Sequence, residues 1–350
     1  MHILNQPLVS VVTPMYNEAQ YIAECIESVL RQTYSNWEYT ILDNCSTDDS
    51  LAIARRYAQR DSRITVLANR RFLTAMQNHN AALRTISPAS KYCKMVFADD
   101  WLFPQCLEQM VALAEAHPTV GIVGAYGLDG RQVLWIGLPY PSPITAGREV
   151  CRSMFCRGPY VFGSATSLLY RADLVRARPV FYSEDNIHAD TEICLDLLKM
   201  CDFGFVHEIL TFSRVRPHSL VQMSQYLNTF DASKLRHLVV HGPHFLTDSE
   251  LQDCLKPTLK SYYRYLAGAV LRNRPKDFWN YHRTMLRQLG MRFDGPRLVI
   301  AVFARLCEAV LNPRSTIRSL LTATSNESHI VTRELVDAVT GRETDFPKCP

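Results

Sequence analysis

The sequence predicts an α/β protein: a mainly parallel central sheet covered by helices on both faces, followed by an extension made of helices alone. Three observations carry this. Residues 8–126 alternate short β-branched runs with stretches of helical periodicity, the order that right-handed strand–helix–strand crossovers require. After about residue 225 the strand-like alternation ceases and helical periodicity continues. A chain of 350 residues accommodates one large domain and a smaller one. The expected division is 1–224, with halves 7–126 and 127–224, and then 225–350.

The elements follow in order. Leu8–Val12 is a β-branched run read as a buried strand, ended by Pro14. Glu18–Arg31 places Tyr21, Ile22, Cys25, Ile26, Val29 and Leu30 on one helical face, with Asn17 positioned as its cap. Trp37–Leu42 is the second strand and closes at Asp43. The polar turn Asn44–Asp48 then leads into a helix over Ser50–Arg60. Ile64–Leu67 is the third strand, Gln77–Thr85 a helix and Lys94–Ala98 the fourth strand. Leu107–Ala116 is a helix stopped by Pro118, and Gly121–Ala125 is the fifth strand. Pro139, Pro141, Pro143 and Pro159 mark a loop-rich stretch. Gly163–Arg171 and Phe203–Arg214 read as further strands on either side of a helix at Asp190–Met200.

Composition narrows the class. Hydrophobic content of 47% and charge of 21% are those of a folded soluble chain. A net charge of +4 gives no reason to expect a nucleic-acid partner. The eleven cysteines follow no framework, and Cys25, Cys93, Cys194 and Cys307 fall in apolar runs, where thiols act as small hydrophobes. That usage fits a reducing compartment. Met1–Gln6 lacks the order of a secretory signal, and no run reaches the ~20 apolar residues of a bilayer span. A cytoplasmic protein is expected.

The chemistry concentrates where strands end. Asp99 and Asp100 follow the apolar run Lys94–Ala98. Two adjacent carboxylates at the tip of a buried strand are costly without a cation, and a hard divalent ion carrying a substrate diphosphate suits them. Ligands of open α/β sheets gather at such ends. Asp100 is equally readable as the cap of a helix starting near Pro104. Pro14, Tyr16, Asn17 and Glu18 lie just past strand one, where a carboxylate can accept from ribose hydroxyls and a tyrosine can stack on a base. Asn17 and Glu18 also suit a helix start. Neither GxGxxG nor GxxxxGK[ST] occurs, so a nucleotide is held by other means.

Val9–Glu18, Ile41–Asp48 and Phe97–Leu102, in this order and spacing, resemble the nucleotide-sugar half of the family-2 glycosyltransferases, which have the GT-A fold and invert the anomeric centre. The resemblance covers about residues 7–220. It implies that Asp43 meets the base, where a carboxylate accepting from a ring N–H suits uracil. It places Arg71 and Asn78, with Arg70 and Gln77, over the nucleotide. Asp99 is assigned to the ribose and Asp100 to Mg²⁺ or Mn²⁺. Asp190, in His188–Ile193, takes the position of the family's catalytic base, with Glu192 as the alternative. Ala189 stands where the family usually has Glu. Gly163–Ser167 would border the acceptor. In Arg214–Ser219, Arg216 and His218 are the candidates for the diphosphate and metal, although Arg216 stands where His is usual.

The implied activity is transfer of a single sugar from a nucleotide-diphosphate sugar, preferably UDP-linked, to a hydroxyl acceptor, a glycan or lipid-linked saccharide. The QxxRW mark of processive synthases is absent. Two alternatives are a non-catalytic scaffold, favoured by Ala189 and the Arg216/His218 displacement, and a sugar-nucleotide pyrophosphorylase. The second lacks its Gly-rich basic loop after strand one. Lys256–Leu320 carries thirteen Lys/Arg against three Asp/Glu, interleaved with aromatics. Peripheral membrane contact is expected there, with Pro296–Leu311 lying apolar face down and Arg297 and Arg305 near anionic headgroups. A helical appendage on the catalytic domain, or a homo-oligomer contact, is the competing expectation.

Overall fold

The computed structural model describes residues 6–130, 132–134, 137–214, 224 and 226–311. The chain divides into two compact units, parting after residue 216. The first contains β1 (Val9–Met15), α1 (Ile22–Leu30), β2 (Trp37–Asp43), α2 (Ser50–Ala58), β3 (Ile64–Ala68), α3 (Ala75–Leu83) and β4 (Tyr92–Met95). It continues with β5 (Trp101–Leu102), α4 (Cys106–Ala116), β6 (Val120–Asp129), β7 (Gln132–Leu134), β8 (Ile144–Thr145) and α5 (Gly147–Phe155). A single 3₁₀ turn, Ala165–Ser167, precedes β9 (Leu168–Arg171), α6 (Ala172–Arg176), α7 (Ala189–Leu197) and β10 (Asp202–Ser213).

The strands form one sheet in the order β3-β2-β1-β4-β9-β6-β10-β5, with β7 on β6 and β8 on β10. β3, β2, β1 and β4 run parallel, as expected from the crossovers. Beyond them the sheet is mixed: β9 lies antiparallel between β4 and β6, whereas β6 and β10 are parallel. Every residue of β1 is buried, which is why it reads as a continuous run and not as an alternation. Its core joins Val9, Val11 and Met15 to Ile22, Ile26, Tyr39, Ile41, Leu107 and Met110.

Several boundaries differ from the sequence reading. Pro14 does not end β1; it pairs in register with Leu42. Backbone groups alternate along β1: Val12 O accepts from Val96 N, and Met15 O accepts from Asn44 N. The missing N–H of Pro14 therefore falls on the β4 side, where pairing has stopped at Val12–Met95. The first helix begins at Ile22, not Glu18, and Asn17 is not its cap. Asn17 sits at φ +53°, and its side-chain Oδ1 accepts from Thr47 N at 2.8 Å, so the amide is engaged elsewhere. β4 stops at Met95 because Phe97 N–H leaves the ladder and donates to Thr166 Oγ1 at 3.1 Å. Asp99 and Asp100 consequently occupy a turn beyond the strand. Asp100 caps no helix, since α4 has Gln105 at its N-cap. The strand expected from Gly163 is confined to β9.

The second unit contains α8 (Thr229–Phe245), α9 (Asp248–Leu271), α10 (Lys276–Gln288) and α11 (Gly295–Leu311). Its separate core includes Leu235, Tyr262, Tyr263, Leu266, Phe278 and Leu286. A capping box at Thr247 and Glu250 starts α9. On α11, Val299, Ile300, Phe303, Val310 and Leu311 are exposed. Arg305 Nη1 donates to Arg264 O at 3.0 Å, and Arg297 lies over the Tyr263 ring beside Asp294, so both serve the unit's own packing. Cys25, Cys93 and Cys194 are buried as expected, whereas Cys307 is exposed. No helix among the described residues is long and apolar enough to cross a membrane.

Candidate functional site

The loops after β1 and β2 are tied together by side chains. Asn17 N donates to Ser46 Oγ at 2.9 Å, Glu18 N to Ser50 Oγ at 2.6 Å and Ala19 N to Asp48 Oδ2 at 3.0 Å. This fixes Tyr16, Asn17 and Glu18 beside the end of β2. Tyr16 is 36% exposed and packs edge-on against Phe72 at 4.8 Å. Pro14 is buried within β1 as its penultimate residue. Asp43, the last residue of β2, is only 1% exposed. Its Oδ2 accepts from Ser46 N at 3.1 Å, but its buried Oδ1 receives no hydrogen bond. A buried carboxylate oxygen without a donor is costly and is well suited to take an N–H from a ligand.

The β3–α3 loop is held over these ends by an amide network. Asn44 accepts from Leu73 N and Asn69 Nδ2 and donates to Leu73 O, while Asn69 Nδ2 also donates to Asn78 Oδ1 at 2.9 Å. Asn78 is buried and shapes the loop. Arg70 and Arg71 are exposed on the same loop and form no ion pair among the described residues. Gln77 reaches across to Glu184.

At the turn after β4, Asp100 is 5% exposed. Its Oδ2 accepts from Thr166 Oγ1 at 2.6 Å, and its Oδ1 accepts from Arg214 N at 3.0 Å. Burial, and then the neighbouring Asp99 charge, push its carboxyl up to about 7. Arg214 Nε also donates to Asp99 O, and its guanidinium, 4.5 Å above the Tyr21 ring, pairs with Glu24. Arg214 thus clamps the turn through its backbone and Nε while Glu24 takes its charge. The donor set is carboxylate oxygen alone, and no cluster of three His, Cys, Asp or Glu forms among the described residues. Such a set fits a hard dication that keeps most of its shell for water and diphosphate oxygens, the habit of Mg²⁺ and, by the same donor preference, Mn²⁺.

Asp190 lies in the first turn of α7, half-buried, with Oδ1 accepting from Thr191 N at 2.7 Å. Desolvation pushes its carboxyl up to about 6. The Glu192 carboxylate accepts from Asn186 Nδ2 at 2.8 Å, and Ala189 is fully buried. Residues 160–167 connect this turn to Asp100. Tyr160 OH bonds Thr191 Oγ1 and donates to Gly163 O, and Thr166 bonds Asp100. A second path runs from Tyr182, which senses the Asp190 charge, through the His79 ring to Phe97.

The sequence-derived residues of the first unit therefore meet on neighbouring loops at one end of the sheet. Arg216 and His218 lie outside the described residues. The sequence reading missed Thr166, Arg214 and Lys94. Gly163–Ser167 had marked the first segment, but nothing local ties it to Asp100.

A parallel α/β layer with carboxylates at its strand ends and a mixed second half is the architecture of the GT-A glycosyltransferases. Residues 10–175 match the family described as Glycosyl transferase family 2. EpsE of Bacillus subtilis is 36% identical over 155 residues, 41% of this chain and 54% of EpsE. The chain thus spans about half the length of that relative. Staphylococcus aureus TarS 1–349, solved in complex with UDP-GlcNAc, has the same fold at TM-score 0.60 and 15% identity, over 88% of this chain and 87% of TarS. The mannosyltransferase PcManGT of Pyrobaculum calidifontis, solved with GDP-Man and Mn²⁺, matches at TM-score 0.52 and 15% identity, over 97% of this chain and 89% of that one.

Proposed function

We propose that the protein is an inverting, metal-dependent glycosyltransferase that moves one sugar from a nucleotide-diphosphate sugar to a hydroxyl of a glycan or lipid-linked acceptor. The observation that carries this is a family-2 domain whose strand-end carboxylates are buried and under-neutralised: Asp43 with an oxygen that has no donor, and Asp100 pushed up to about 7. The nucleotide-sugar complexes of TarS and PcManGT support a donor of this class. Asp43 accepts from a base N–H, which favours uracil. Tyr16 stacks on the base, Glu18 and Asp99 meet the ribose, and Arg71 approaches the diphosphate. Asp100 would hold Mg²⁺ or Mn²⁺, which when bound neutralises charge developing on the diphosphate. Asp190 takes the acceptor hydroxyl's proton as that oxygen attacks C1 from the face opposite the diphosphate. A base titrating near 6 is ionised at neutral pH yet still basic enough to accept a proton. The exposed apolar face of α11 supports contact with the inner membrane surface, where a lipid-linked acceptor resides.

A thermal-shift panel of UDP, GDP and dTDP with and without Mn²⁺ tests the donor site, because a ligand of the native state raises Tm. One nucleoside diphosphate is expected to stabilise the protein, and to stabilise it more strongly with metal present. No shift with any of them refutes the reading. Slow metal-dependent hydrolysis of the matching nucleotide sugar, abolished in Asp100→Ala, separates an enzyme from a scaffold.

A further inference from the structure

Lys94 is the least expected side chain of the first unit. It lies in the middle of β4, 0% exposed, in a strand otherwise built of Tyr92, Cys93 and Met95. A buried ammonium is costly unless paired, and Lys94 has no carboxylate within ion-pair distance among the described residues. Its Nζ donates to Thr166 O at 2.7 Å and reaches Met110 Sδ at 3.6 Å. A leucine or methionine would fill the same volume without that cost, so the bond to Thr166 is the feature to explain.

Thr166 sits in the 3₁₀ turn Ala165–Ser167, and its hydroxyl has no freedom. It accepts from Phe97 N at 3.1 Å, so its single proton is directed to Asp100 Oδ2 at 2.6 Å. The other carboxylate oxygen is set by Arg214 N. Ser213 Oγ adds a long bond to Oδ2 at 3.5 Å, so three donors orient the carboxylate and about one of its roughly four lone-pair positions is left for a ligand. Lys94 holds the carbonyl of the residue whose hydroxyl makes this bond, from the strand that leads into the Asp99–Asp100 turn. Strand and carboxylate are locked to the same 3₁₀ turn at two points.

We infer that Lys94 and Thr166 are positioning residues for the cation-binding carboxylate: Thr166 orients Asp100 directly, and Lys94 fixes the turn that presents Thr166. The inference rests on the donor-site reading given under Proposed function. Partners of this kind typically change metal affinity about tenfold to a hundredfold when removed.

The test measures Mn²⁺ binding calorimetrically in the presence of the nucleoside diphosphate that stabilises the unaltered protein, alongside nucleotide binding without metal and Tm without either. Thr166→Val keeps the shape and removes the hydroxyl; it is expected to weaken Mn²⁺ about tenfold or more while metal-free nucleotide binding stays the same. Thr166→Ser restores the hydroxyl and is expected to recover Mn²⁺ affinity to within about threefold. Lys94→Met exchanges the ammonium for an apolar chain and is expected to weaken Mn²⁺ in the same direction, by about threefold to tenfold. A purely structural role would lower Tm and leave Mn²⁺ affinity alone. Valine and methionine variants that both bind Mn²⁺ within twofold of the unaltered protein overturn the inference; if one fails to fold, the other decides. Unaltered protein that binds no Mn²⁺ overturns the donor-site reading and this inference with it. Intact binding there with unchanged variants overturns the inference alone.

Discussion

The assignment of Asp190 as base makes a prediction in pH that its surroundings isolate. Desolvation raises its carboxyl from 3.8 to about 6. The groups packed directly around it do not titrate in that window, and saturating Mn²⁺ would keep Asp100, raised to about 7, ionised throughout. Burial raises the Tyr160 and Tyr182 hydroxyls and the Cys194 thiol well above their ordinary values, and it holds the His188 ring down at about 4. With a pKa of about 6, the base is ionised to roughly 9% at pH 5 and roughly 91% at pH 7. The rate constant kcat/KM, measured with saturating Mn²⁺ from pH 5 to 8, should climb about tenfold between pH 5 and 7 and then level. An unshifted carboxylate would already be roughly 94% ionised at pH 5 and would give a flat profile. Asp190→Asn should lower kcat by about 10²–10⁴ and remove the acid limb from whatever rate remains. Glu192→Gln should leave the limb in place, because Asn186 engages that carboxylate. A flat wild-type profile, or a limb that survives in Asp190→Asn and vanishes in Glu192→Gln, refutes the assignment.

The same shift has a stability consequence of fixed sign. A carboxyl raised in the folded state stabilises below its unfolded value near 3.8, and that contribution is lost as pH rises through about 6. Asp190→Asn should therefore match wild type in Tm at pH 4 and exceed it at pH 8. Asp43→Asn should weaken binding of the preferred nucleoside diphosphate about tenfold and reduce discrimination between bases, read by calorimetry, because the unpartnered Oδ1 supplies the acceptor. Arg71→Ala should weaken the diphosphate severalfold and leave the nucleoside alone unaffected, with Tm unchanged, since the side chain is exposed on its loop. Asn80→Ala should cost about 2–4 kcal/mol of stability by denaturant titration. Its buried amide accepts from Phe181 N and Tyr182 N and donates to Tyr182 O, and all three groups lose their partner.

What the sequence disclosed, and what it withheld, follows from how far each determinant reaches along the chain. The parallel half of the sheet was legible because its strands are buried on both faces and must be apolar throughout. The carboxylates Asp43, Asp99 and Asp100 were legible because a charged residue directly after such a run stands out locally. The boundaries that failed were decided by partners far away. Asn17 has the composition of a cap, but the cap was lost to Thr47, thirty residues on. Val96–Ala98 has the composition of strand, yet Phe97 N–H is drawn off the ladder by Thr166. The antiparallel insertion of β9 between two parallel pairs has no local signature either, since Leu168–Arg171 reads as strand in any direction.

The candidate site divides the same way. Groups proposed to touch ligand stand at strand ends and announce themselves by charge in an apolar context. The groups that aim them do not. Thr166 lies 66 residues from Asp100, and Arg214 lies 114. Each is an ordinary polar residue in its own stretch of sequence, and Arg214 acts on Asp100 through a backbone N–H that any non-proline residue could supply. Lys94 is the informative exception. A lysine inside a run that forms a fully buried strand contradicts the apolar pattern as plainly as Asp99 and Asp100 do, and the same cost argument applies to it. It was visible in the sequence as a violation of the core pattern five residues before Asp99. Only the fold could show that its ammonium is spent on Thr166 O. Buried charge that breaks a strand's pattern is thus legible as a demand for a partner, and closure of β9 against β4 supplies that partner.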